Sequence, residues 1–186
     1  MVNMLSDELY NLKAFFRENP KVALGFTGGV NSAYLLYLGK QCGADVRAYY
    51  VKTAFQPWHE LDHAIRLAKQ FHVKLKILEY DVFQDKNIMK NDIDRCRFCK
   101  KRMFSLIKKQ AMKDGFTTLI EGSDASDTNK GCIKLNSSST MSCHSPLKEL
   151  GVTKTKVRML SRKAGCLAWD KPAYSCLVAQ IPAGTA

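Results

Sequence analysis

The chain has 186 residues, 46% hydrophobic and 25% charged, which suits one globular domain and is enough to bury a three-layer core. Lys and Arg outnumber Asp and Glu by 29 to 17, so the surface field favours an anionic partner such as a nucleotide, nucleic acid or acidic cofactor. The basic residues form no long run, and a solvated lysine surface accounts for the charge equally well, so charge alone does not establish RNA binding.

No segment approaches the roughly 18 consecutive apolar residues of a membrane span. The first eight residues, Met1 to Glu8, lack a basic stretch followed by an apolar one, so a cytoplasmic protein with no membrane partner is expected. In that compartment seven cysteines are better read as metal ligands, catalytic groups or packing residues than as a disulfide framework.

Leu5, Leu12, Phe15 and Phe16 recur at helical spacing, and Pro20 ends the pattern before a strand at 22–26. Residues 32–39 read as a buried helix and 45–51 as a strand in which Val46, Ala48 and Tyr50 alternate. A helix over 60–71 and a strand over 73–78 follow. Residues 98–112 suit a basic amphipathic helix, and 117–120 a strand. The stretch 123–143, rich in Ser, Asp, Asn, Thr and Gly, reads as a long loop, and 154–164 as one more helix. Repeated strand–helix order predicts an α/β fold, a Rossmann-like parallel sheet with helices on both faces, in a single domain over 1–186. The end at 182–186 stops without a closing element, so something is expected to be missing after it.

Thr27-Gly28-Gly29-Val30-Asn31-Ser32 lies between the first strand and the buried helix. A helix N-terminus there presents unpaired amides and a positive dipole end to an anion, and two glycines let successive amides converge on phosphate oxygens. The hydroxyls of Thr27 and Ser32 add donors, and a Walker lysine is absent. A plain strand-to-helix turn is the competing reading.

The segment resembles the Ser-Gly-Gly-x-Asp-Ser loop of the PP-loop ATP pyrophosphatases, an adenine nucleotide alpha hydrolase-like fold. The resemblance implies ATP and Mg²⁺ as cofactors, adenylylation of a substrate oxygen, and pyrophosphate held in the loop. Thr27 keeps the serine hydroxyl; Asn31 removes a negative charge that would organise Mg²⁺, although it can still cap the helix. Nucleotide binding without turnover is therefore the alternative to an enzyme.

Further motifs are Arg95-Cys96-Arg97-Phe98-Cys99-Lys100, Glu121-Gly122-Ser123-Asp124-Ala125-Ser126-Asp127, Ser145-Pro146-Leu147 and Trp169-Asp170-Lys171-Pro172-Ala173-Tyr174-Ser175-Cys176-Leu177. Together they are similar to the ATP-dependent sulfur transferase family LarE, associated with the nickel-pincer nucleotide cofactor. The resemblance implies that a carboxylate on a small anionic, nucleotide-like acceptor is adenylylated and then receives sulfur. Gln180 stands where that family usually has arginine, Ser126 replaces an acid, and the family's C-terminal region of several dozen residues, with part of its substrate site and oligomer contact, is expected to be absent. A homo-oligomer is an open expectation; another PP-loop chemistry, amidation or tRNA thiolation, would explain the basic surface but not the later motifs.

The same resemblance makes Cys176 either a sacrificial sulfur donor or the third ligand, with Cys96 and Cys99, of a [4Fe-4S] cluster that carries an extra sulfide. The cluster is the favoured expectation because both members of the Cys-x-x-Cys pair are present. A zinc site completed by Cys143 or His144, or an uninvolved cysteine pair, are the alternatives. Cys42, Cys132 and Cys166 read as packing residues. Gly122, Asp124 and Asp127, with Glu121, follow the fourth strand at the binding edge, where they would contact the nucleotide, hold Mg²⁺ or simply form turns. Lys100, Lys101 and Arg102 would meet substrate phosphate or form a solvated face. Trp58 and Trp169 are expected as packing anchors, and His59, His63 and His72 need no function.

Overall fold

Apolar and alternating runs become a parallel sheet whose central strands β1 and β2 bury both faces. A computed structural model describes residues 2–128, 141–174 and 176–185. The strands are β1 (Lys21–Gly25), β2 (Asp45–Lys52), β3 (Leu75–Glu79), β4 (Thr118–Ile120) and β5 (Ser142–His144), all parallel in the order β3-β2-β1-β4-β5. The chain reverses its direction of growth between β1 and β4, which creates a crevice at their carboxyl ends.

Helices α1 (Val2–Glu18), α2 (Val30–Gln41), α3 (Trp58–Gln70) and α7 (Lys154–Lys163) share one core cluster with Val22, Leu24, Val46, Ala48 and Tyr50. Helix α5 (Arg95–Lys113) covers the other face, packing Phe104, Ile107 and Ala111 with Ala23, Tyr49, Val51 and Leu119. The strand β2 side chains thus alternate between two apolar layers rather than between core and water. Helix α2 is buried from Val30 through Leu36, as an all-round apolar sequence requires.

Short helices α4 (Lys86–Met89) and α6 (Pro146–Glu149) complete the set, with 3-10 turns at Val82–Gln84 and Leu177–Gln180. The expected loop at 123–143 contains the start of β5, which pairs Ser142 with Thr118 and Cys143 with Leu119. Cys132 lies outside the described residues. Cys166 is fully buried and Cys42 packs against the same core, so both serve packing. Cys143 is disulfide-bonded, a departure from the all-reduced set expected. Among the described residues no helix is long and apolar enough to cross a membrane.

Candidate active site

The loop after β1 is held by its own hydroxyls. The Thr27 amide donates to Ser32 Oγ at 3.4 Å, the two hydroxyls lie 3.3 Å apart, and the Gly29 amide donates to Thr27 Oγ1 at 3.3 Å. Ser32 Oγ in turn donates to the Gly29 carbonyl at 3.1 Å. Gly28 has φ +72°, a left-handed conformation that side chains resist, and a Cβ there would stand 3.2 Å from Ala64 Cβ and 3.3 Å from Ala64 Cα.

The helix cap differs from expectation. Gly29 is the N-cap of α2, in extended conformation, and no side chain caps it. Asn31 lies inside the first turn and turns away, its Nδ2 donating to the Gly122 carbonyl and to Asp124 Oδ2, both at 2.7 Å. Asn31 therefore ties the loop to the segment after β4 instead of capping. Gly122 makes that approach feasible, because a Cβ on it would meet the Ser32 amide nitrogen at 3.1 Å.

Asp124 is fully buried. Its Oδ1 accepts from the Ser126 amide at 2.8 Å while Oδ2 accepts from Asn31, and Asp127 Oδ2 accepts from the Asp124 amide at 3.0 Å. Glu121, also buried, accepts from Ser123 Oγ at 2.8 Å and from Ser145 Oγ, with Lys100 Nζ 3.8 Å away. Of the acids singled out, Glu121 and Asp127 line the adjoining cavity, whereas Asp124 supports Asn31 from behind.

This geometry gives an expected result for Asn31→Asp. The new carboxylate faces Asp124 with no donor between them, so one of the two carboxyls has a raised folded-state pKa. The variant is then destabilised by about 1–3 kcal/mol at neutral pH, recovers as pH falls and that carboxyl protonates, and recovers at constant pH when Mg²⁺ is added. ATP hydrolysis should rise above the parent level if Asn31 is a damaged catalytic position. Melting curves with and without Mg²⁺, beside an assay of AMP and pyrophosphate release, check it. Unchanged hydrolysis removes the reason for doubting turnover.

A cavity of about 540 Å³ opens between the loop and α5, a volume typical of small-ligand sites. Thr27, Gly29, Val30, Asn31 and Ser32 line one side; Tyr49, Val51, Met103 and Phe104 form an apolar wall. Lys100, Lys154, Arg158 and Lys171 bring positive charge, and Cys176 stands on the same wall. Arg102 pairs instead with Asp85 at 2.7 Å and Lys101 faces solvent, so of three basic residues at the start of α5 only Lys100 reaches the cavity.

Several positioning residues escaped sequence reading. Lys171 Nζ donates to Glu60 Oε2 at 2.7 Å and to the Gly28 carbonyl at 3.4 Å, clamping the loop from the far end of the chain. Arg158 donates to the carbonyls of Trp169 and Lys171 at 2.9 and 2.6 Å, which fixes that arm. Lys171 lies in a motif already quoted, but nothing local to it points to Glu60.

The thiols are assembled by a second anchor. Buried Arg95, one residue before Cys96, donates to the carbonyls of Val178 at 2.8 Å and Ile181 at 3.2 Å, and the Leu177 amide donates to the Phe55 carbonyl at 3.0 Å. Cys176 is thereby set beside the first turn of α5. Burial pushes the Cys99 thiol up to about 11, and the neighbouring Cys176 and Cys96 add to the rise. Cys96, Cys99 and Cys176 are free thiols, a donor set that suits iron–sulfur or zinc in kind. Among the described residues, no three or more His, Cys, Asp or Glu side chains form a ready metal group. Cys143 is bonded elsewhere, and His144 Nδ1 lies 3.3 Å from Glu149 Oε2.

With its pKa raised, Cys99 carries less thiolate at pH 8 than an ordinary cysteine, by roughly a hundredfold. In metal-free protein it should therefore alkylate slowly at pH 8 and accelerate towards pH 11, as peptide mapping after timed iodoacetamide treatment would show. Rapid labelling of Cys99 at pH 8 would mean that its surroundings are wetter than described.

Trp58 is 75% exposed and is no packing anchor; Trp169 is 37% exposed and lies under the Arg162 guanidinium, 4.9 Å from its ring centroid. His59 and His72 are exposed and His63 is half-buried.

No family model matches the chain. It is 29% identical over 186 residues to an uncharacterized protein of Synechocystis sp., covering 97% of this chain and 68% of that protein. It is 26% identical over 183 residues to pyridinium-3,5-bisthiocarboxylic acid mononucleotide synthase of Lactiplantibacillus plantarum, covering 97% of this chain and 66% of the synthase, just under two thirds of its length. Among solved structures, the U34-tRNA thiolase NcsA of Methanococcus maripaludis, with its [4Fe-4S] cluster, superimposes with a TM-score of 0.71 at 16% identity, over 95% of this chain and 70% of that one. The chain is thus similar over nearly its whole length to the synthase and shares the fold of the thiolase.

Proposed function

We propose that the protein is an ATP-dependent sulfur transferase acting on a carboxylate of a small anionic, nucleotide-like acceptor. The observation that carries this reading is the single cavity lined both by the glycine loop and by Cys176. Residues 27–32 would hold the β- and γ-phosphates through the loop amides and the positive end of α2, with Lys171 and Lys100 supplying charge. The acceptor carboxylate oxygen attacks the α-phosphorus, an acyl-adenylate forms and pyrophosphate leaves. A sulfur nucleophile then attacks the acyl carbon, its electron pair forms the C–S bond, and AMP departs with the bridging oxygen.

Cys176 either supplies that sulfur itself, in which case the thioester first formed is released by loss of the residue's α-proton and cleavage of its Cβ–Sγ bond, leaving dehydroalanine at 176, or joins Cys96 and Cys99 in holding a [4Fe-4S] cluster, which when bound would carry the sulfide to be transferred. In both cases Arg95 holds the Cys176 segment against α5, and the apolar wall of Val51, Met103 and Phe104 keeps water from the acyl-adenylate. The cytoplasm is the setting in which free thiols of this kind persist.

Anaerobic purification with iron and sulfide analysis, followed by assay of ATP conversion to AMP and pyrophosphate with a pyridine carboxylate mononucleotide, tests this. Acceptor-dependent pyrophosphate release with an oxygen-to-sulfur exchange in the product is expected; pyrophosphate release with no sulfur product, or with an amidated one, would sink it. A second reading, nucleotide binding without turnover, rests on Asn31, whose side chain is committed to Gly122 and Asp124. Tight ATP binding with no AMP formed would favour it.

A further inference from the structure

A second cavity of about 510 Å³ lies at the carboxyl ends of β2 and β3, beside the nucleotide site described above. It shares Tyr50 and Gln56 with the first cavity, and Leu177 forms part of its wall while the adjacent Cys176 lines the first. Cys176 therefore stands at the partition between two small-ligand volumes. Trp58, the first residue of α3, lies in this second cavity with three quarters of its surface exposed, an unusual state for an indole that no packing explains.

The chemistry around Trp58 is specific. The Lys52 ammonium stands 4.3 Å from its ring centroid. Among the described residues Lys52 is otherwise held only by Glu79, at 3.6 Å, and that carboxylate is 81% exposed, so the ammonium is loosely paired and able to turn to another anion. The other acid at the rim, Asp81, is already used by its own turn, accepting from the Phe83 amide and Gln84 Nε2. A flat, electron-poor ring stacks on an indole, and an acid substituent on it would meet Lys52.

We infer that this second cavity is the acceptor subsite, binding the planar heteroaromatic ring of a mononucleotide by stacking on Trp58, with an anionic ring substituent at Lys52. The inference rests on the sulfur-transfer reading for the acceptor's class. A ring that carries a second carboxylate, on the side away from Lys52, would present that carboxylate past Tyr50 and Gln56 to the nucleotide cavity beside Cys176.

Nicotinic acid mononucleotide is the probe. The chain has two tryptophans, so a Trp169→Phe background isolates Trp58 emission. The probe should quench that emission equally with and without saturating AMP. By calorimetry Trp58→Ala should weaken the probe roughly tenfold or more and leave AMP affinity unchanged. Lys52→Gln should erase the preference for the acid over nicotinamide mononucleotide while retaining the quenching. Loss of quenching under saturating AMP would overturn the inference, because the probe then occupies the nucleotide cavity. Unchanged probe affinity in Trp58→Ala would overturn it as well, and so would quenching by a short oligoribonucleotide but not by the mononucleotide. Quenching in parent protein that itself binds no AMP and releases no pyrophosphate would support the subsite and count against the proposed function, so the two failures are distinguishable.

Discussion

Gly28→Val is expected to lower ATP or AMP affinity roughly 30- to 150-fold. Two costs combine. The native φ of +72° lies in the left-handed region, where a β-branched side chain is strained, and the new Cβ meets the backbone of α3 at Ala64, which cannot rotate aside. The chain must relieve about 2–3 kcal/mol, and the available movement is a rotation of the peptide planes around residue 28. That rotation redirects the amides meant for phosphate and displaces the carbonyl that Lys171 grips. Calorimetric titration with AMP measures the loss, and circular dichroism establishes that the sheet persists. Unchanged affinity in a folded variant would mean that the loop is not the phosphate site.

Cys176→Ala is expected to abolish sulfur transfer, leaving product at background, while pyrophosphate release stays within severalfold of the parent. Cys176 is the one thiol that lines the nucleotide cavity among the described residues, so its loss removes the sulfur route and leaves the glycine loop intact. If the three cysteines hold a cluster, anaerobically prepared variant also loses iron and sulfide together. Cys42→Ala, at a partly buried thiol packed against the opposite core, should transfer sulfur at near-parent rates. Sulfur transfer surviving in Cys176→Ala would assign delivery to the Cys96–Cys99 pair alone.

Strands β1 to β4 were legible because each is an apolar or alternating run bounded by polar or glycine-containing turns. Strand β5 was not: Ser142, Cys143 and His144 have no alternating pattern, and they form a strand because β4 offers an unpaired edge. The tight turn between β1 and α2, proposed above to hold phosphate, was legible from two glycines and two hydroxyls. What Asn31 does was not, since its partners Gly122 and Asp124 lie more than 90 residues away and helix-start asparagine usually caps. The same holds for Lys171 with Glu60 and for Arg95 with the Val178 carbonyl. Spacing reveals which residues share a helix face; it does not reveal which backbone carbonyls a long cation will find. Trp58 shows the opposite limit, for composition predicts burial of an indole and a cavity rim overrides it.

The arm carrying Lys171, Cys176 and Val178 makes its contacts backwards, to Gly28, Glu60, Phe55 and Arg95. During synthesis all five strands have left the ribosome before this arm emerges. The strands are therefore available to pair while the glycine loop is still unclamped and Cys96 and Cys99 still lack the neighbouring Cys176. On the proposed reading, the nucleotide site and the three-thiol set therefore wait for the same late segment and are completed together.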